Sequence, residues 1–129
     1  MGVSLFSSAN LTFLERTSPR IQATLLDDDD LPVPGSSVTT LTMTLYDVVE
    51  DSIINARDGQ NILNANGCTL DEDGLFTWLV EHLDTVIVGA TELNALEEHV
   101  ALIEGTHTAG SRHFKQEIRH FVKNLGKVP

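Results

Sequence analysis

The sequence predicts an all-β protein, a single antiparallel β-sandwich, and three observations carry that prediction. Val38 to Tyr46 alternates strictly, with Leu41, Met43 and Leu45 on one face and Thr40, Thr42 and Thr44 on the other. Period 2 with β-branched residues outward marks a half-buried strand. Further short apolar runs recur between turn residues, with no long helix to make a parallel crossover, which favours a sandwich of six or seven strands. The length, 129 residues, suits one domain, which buries roughly two-thirds of its unfolded surface and needs no staple.

The chain opens on residues 1–10, read as an arm that precedes the sandwich of residues 11–129. Leu5, Phe6, Leu11 and Phe13 are apolar where a solvated tail is polar, so Leu5 and Phe6 are candidates for docking on a neighbour; covering the end of their own sandwich is the alternative. Leu11 to Glu15 is a short strand, and Ile21 to Leu26 is another that ends in the acidic loop Asp27 to Asp30. Leu31-Pro32-Val33-Pro34-Gly35 is turn chemistry: the prolines fix φ and remove donors, and Gly35 permits a positive φ. Ile53 to Leu70 holds Asp58-Gly59 and Asn66-Gly67, with Asn55, Asn61 and Asn64 nearby, a density that makes turns and short extended pieces. Leu75 to Val80 reads as a strand apolar on both faces, announced by Asp71-Glu72-Asp73-Gly74. Glu81 to Val86 has room for one helical turn, and Glu98 to Ile103 is a further strand.

The C-terminal segment carries two periodicities. Phe114, Ile118, Phe121, Val122 and Leu125 lie on one helical face, with Gly126 placed as a C-cap. At period 2, Phe114, Ile118 and Val122 turn inward while His113, Lys115, Glu117, Arg119 and Lys123 turn outward, although Gln116 and His120 then also face inward. The residues alone leave helix and strand open.

Charge divides the chain in two. Residues 1–104 hold 18 acids and 3 bases, a net of −15; residues 105–129 hold five bases and one acid, a net of +4, for −11 in all. The total disfavours nucleic acid, whose phosphates need clustered cations. The basic segment either neutralises the acidic body on one surface or is presented to neighbours, copies of the chain included. No apolar run approaches the roughly 20 residues of a membrane-spanning helix, and the first residues, Met1-Gly2-Val3-Ser4-Leu5-Phe6, lack the basic and apolar regions of a signal peptide. One cysteine, Cys68, excludes an intramolecular disulfide and a four-cysteine zinc site.

No pattern demands chemistry. His82, His99, His107, His113 and His120 form no HExxH motif, and the expectation is polar surface histidines, even for His107 and His113 across a hairpin. Asp27 to Asp30 and Asp71 to Gly74 lack the spacing of a calcium loop and read as solvated acidic turns. Cys68 has no oxyanion context, and Ser36-Ser37 has no nucleophile elbow. Gly105 and Gly110 bracket a hairpin tip rather than a phosphate loop. The expectation is therefore no catalytic residue, no metal and no cofactor.

From Leu41 onward the sequence resembles small tailed-phage virion proteins with an immunoglobulin-like sandwich. The residues that carry the resemblance are Leu41 to Asp47, Ile53 to Gly67, Asp73 to Leu79, Asp84 to Val88, Glu98 to Leu102 and Val122 to Pro129, together about two-thirds of the chain. One departure is the stretch Ile103 to His107, where the family pattern has an aromatic-rich strand. The resemblance implies an immunoglobulin-like β-sandwich of about seven strands and settles the C-terminal segment as a strand. It implies a non-enzymatic virion component, made in the host bacterial cytoplasm, that decorates or cements the capsid or sits at the head–tail junction. Its partners would be major capsid, connector or tail subunits and copies of itself, without nucleic acid or membrane. Leu5, Phe6, Arg112, Lys115, Arg119 and Lys123 are the candidate partner-binding residues. A tail or fibre-adaptor module, a carbohydrate-binding attachment domain and, last, a metal-dependent hydrolase are the rival expectations.

Overall fold

Three long strands set the frame, because their alternating side chains bury one face each. In a computed structural model they are β4 (Val38–Asp47), β8 (Leu96–His107) and β9 (Arg112–Lys123). The structure describes residues 12–27, 29–89, 92, 94–107 and 112–125, and the backbone of residues 3–6. Leu11, Asp28, Gly110, Gly126 and Lys127, invoked above, lie outside the described residues.

Among the described residues, nine strands form two sheets. The larger has the order β1-β9-β8-β4-β5, where β1 is Val3–Phe6 and β5 is Gln60–Asn61, and β2 (Thr12–Leu14) also pairs with β9. The smaller is β3-β7-β6, comprising Arg20–Thr24, Leu75–Leu79 and Cys68–Leu70. The two-sheet, all-β class is as the sequence predicts, but the pairing is not wholly antiparallel. Both β1 and β2 run parallel to β9, at Lys115–Ile118 and Phe121–Lys123 respectively. Residues 3–6, set apart in the sequence as part of an arm, thus lie along the chain's own last strand.

The core fills the space between the sheets. Leu41, Met43 and Leu45 of β4, Ala101 and Ile103 of β8, and Phe114 and Ile118 of β9 come from one side; Ile21, Cys68, Leu70, Phe76 and Trp78 come from the other. Each fully buried aliphatic or Phe side chain contributes roughly 1.5–3 kcal/mol relative to exposure. The threonine face of β4 points out as expected. A bulge between Val38 and Thr40 inserts one residue, so Val38 is buried as well.

Three expectations change. β7 carries apolar residues on both faces but buries only one: Phe76 and Trp78 face the core, whereas Leu79 is 57 % exposed. The family's separate aromatic-rich strand is absent at Ile103 to His107, because β8 continues through those residues. Glycine at position 105 instead leaves room for the Phe114 ring, 2.5 Å from where a Cβ would stand. Gly35 begins a 3-10 turn, Gly35–Ser37, and is required for close approach rather than positive φ: a Cβ would lie 2.6 Å from the Leu70 carbonyl oxygen. The left-handed residues sit elsewhere, at Asn55, Ala56, Gly59, Asn64, Asn66 and Gly67 among others, in the Asn/Gly-rich stretch where that conformation costs least. The helical turn expected within Glu81 to Val86 falls at His82–Thr85, as 3-10.

Candidate functional site

The outer face of the larger sheet is built from registered rows across β4, β8 and β9. Thr40–Thr106–His113, Thr42–Glu104–Lys115, Thr44–Leu102–Glu117 and Tyr46–Val100–Arg119 stand side by side. Lys115 Nζ lies 3.6 Å from Glu104, and Arg119 donates to Glu98 at 3.1 Å and to Glu117 at 3.5 Å. The basic stripe is therefore a mixed-charge ladder, the neutralising arrangement that the charge split left open. Lys123 ends the stripe half-buried, and Arg112 is exposed at the start of β9 on the opposite parity. A shallow depression crosses this face between Thr42, Glu104, Thr106 and Lys115. The backbone of Leu5 and Phe6 runs beside Glu117 and Ile118, so all six candidate partner-binding residues lie on β9 or on the strand that pairs with it.

The acidic turns serve the backbone. Asp27 Oδ1 accepts from the N–H groups of Asp29 and Leu31 at 2.9 and 3.1 Å, and Asp71 Oδ1 accepts from Asp73 and Leu75, both at 2.9 Å. Each is an Asx-type turn that satisfies donors locally. His107 and His113 pair with Arg112 and Thr106 and fall on opposite faces of the sheet, so the hairpin does not bring them together.

Two of the histidines are not surface residues. His99 and His120 are fully buried, because period 2 turns them inward from β8 and β9, where they pair across the ladder. Burial, then the neighbouring His99, pushes His120 down to about 3, while Asp84 and the Ile118 backbone pull the other way. The imidazole is thus neutral near pH 7. Its ring packs edge-on against Trp78, at 6.0 Å between centroids.

Buried polar groups form two clusters of different character. Around Arg57 every donor is met: Nε and Nη2 reach the two oxygens of Asp84 at 2.6 and 3.0 Å, and Nη1 reaches Gln60 at 2.8 Å and the Asn66 carbonyl at 3.2 Å. Asn55 and the Glu81 backbone N–H add further donors to Asp84. The guanidinium also lies 5.7 Å from the Trp78 ring.

The second cluster is Asp47, Glu97 and His99, all buried, with one ligand-type atom of each within 4.8 Å of the others. Asp47 ends β4 directly opposite His99, and Glu97 lies two residues before His99 on the same face of β8. Glu97 accepts from the backbone N–H groups of Val88 and Gly89 at 2.8 and 2.6 Å, and its Oε1 is 2.6 Å from His99 Nε2. Asp47 Oδ2 accepts from Glu50 N–H at 2.6 Å, but Asp47 Oδ1 and His99 Nδ1 are buried without a hydrogen-bond partner. A signal for this cluster existed: extending the β4 alternation by one residue to Asp47, and that of β8 back by one residue to Glu97, turns all three side chains inward.

No protein-family model, curated protein or solved structure matches the chain.

Proposed function

We propose that the protein is a non-enzymatic structural subunit of a tailed-phage particle, decorating or cementing the capsid or seated at the head–tail junction. The position of β1 carries the proposal. It lies at the edge of the larger sheet, parallel to β9. An edge of this kind presents backbone donors and acceptors to a further strand, and strand addition is a general mode of subunit docking. A neighbouring copy that donates its own residues 3–6 to β9 would use the same pairing, which is strand exchange. The resemblance to phage virion proteins and the mixed-charge outer face support the same reading. The carbohydrate-binding alternative loses its strongest aromatic, since Trp78 is fully buried and offers no platform to a sugar.

The test is deletion of residues 1–9. Incorporation into particles should fall about tenfold or more, while the isolated variant stays folded with its melting temperature lowered by a few degrees, on the order of 1 kcal/mol. Full incorporation of the variant would contradict the proposal.

A further inference from the structure

We propose that Asp47, Glu97 and His99 form a binding site for one divalent transition-metal ion, zinc in the first instance. Three observations support it. The donor set of one imidazole and two carboxylates is converged, with ligand atoms within 4.8 Å of one another; an ion about 2.1 Å from each ligand needs separations of roughly 3–4 Å, which small side-chain rotations reach. All three groups are buried, and two carboxylates taken out of water demand a compensating charge. Asp47 Oδ1, inside the cluster, has no donor. The Arg57–Asp84 cluster shows what this chain does with buried charge elsewhere: every oxygen there has a donor.

The surroundings suit an ion. The Val88 and Gly89 N–H groups orient the Glu97 carboxylate, and the Glu50 N–H orients Asp47, as outer partners orient metal ligands. Asp47 and Glu97 open on a surface depression bordered by Glu50, Gly89 and Leu96, which supplies an entry path and room for a water at the fourth position. The Glu50 carboxylate overhangs Gly89, 3.1 Å from where a Cβ would be, and adds negative charge at the rim. A divalent ion held by one neutral imidazole and two carboxylates makes a site of zero net charge. Imidazole with carboxylates is a borderline donor set, and zinc binds such sets more tightly than manganese. The ion would tie the end of β4 to the start of β8 and to the segment at Val88 and Gly89, a structural role.

The experiment is a competition titration of the chelator-treated full chain with Zn²⁺ against a chromophoric chelator, with Mn²⁺ and Ca²⁺ as parallel arms. The expected result is one Zn²⁺ per chain, a raised melting temperature, and affinity reduced about tenfold or more in both Asp47→Asn and His99→Gln. Absence of saturable Zn²⁺ binding would show a hydrogen-bonded His–Glu pair only, and would overturn the proposal. So would binding that survives Asp47→Asn unchanged, or a site that takes Ca²⁺ but not Zn²⁺. Should either variant fail to fold, X-ray absorption of the zinc-loaded wild type decides. One imidazole among oxygen donors is expected, and two or more imidazoles would place the ion elsewhere.

Discussion

Arg57 and Asp84 face each other as a bidentate ion pair from which water is excluded, with contacts of 2.6 and 3.0 Å. The pair joins the Asn-rich loop to the 3-10 turn at His82–Thr85, beneath Trp78. Removing one member leaves the other charge buried and unmatched. Arg57→Met should therefore cost about 3–5 kcal/mol in urea denaturation, and Arg57→Met with Asp84→Leu should recover part of that loss. A single-variant loss below about 1 kcal/mol would mean that the pair is solvated.

The two faces of β4 should respond unequally. Leu41 is fully buried, so Leu41→Ala should cost about 2–5 kcal/mol, whereas Thr42→Ala on the outer face should stay within about 0.5 kcal/mol. Equal losses in a urea titration would contradict the register.

Cys68 gives a pH-dependent prediction. Burial pushes its thiol from about 9 up to about 12; Arg57 opposes the shift, and Asp84 and Glu81 add to it. The folded state therefore holds a proton that the unfolded state releases first, and stability falls as pH rises from about 9 towards about 12. Cys68→Ala should flatten that alkaline limb. At pH 8 the thiol should alkylate about a thousandfold more slowly than in denaturant, since only the thiolate reacts; equal rates would contradict its burial.

Reversing Arg119 and Lys123 to Glu sets new carboxylates beside Glu98 and Glu117, the partners of Arg119. Half-exposed charges contribute about 0–1 kcal/mol each to folding, so the melting temperature should change little. Particle association should weaken, and added salt should weaken the wild type in the same direction, because such contacts are screened over about 8–10 Å. Association indifferent to both would remove the outer face from the interface.

Part of the fold was legible because burial imposes period 2 on β4, and because Asn, Asp and Gly mark the turns; apolar residues on both faces hid the alternation of β7, and the inward residues of β9 fitted a helical face as well. The parallel seating of β1 and β2 was not legible, since pairing partners far apart in sequence leave no local pattern. Lys115 and Arg119 were legible as charge, but their pairing with Glu104, Glu98 and Glu117 depends on cross-strand register. His99 and His120 were misread as surface residues because polarity was weighed above parity. The Asp47–Glu97–His99 cluster draws on two strands whose alternation was followed only to Tyr46 and back to Glu98.

The most direct measurement is electron cryo-microscopy of intact particles purified with this chain expressed. The account predicts symmetric, stoichiometric density for a two-sheet domain whose edge at β1 meets a neighbouring subunit. Complete particles without that density, and without the chain by mass spectrometry, would contradict it.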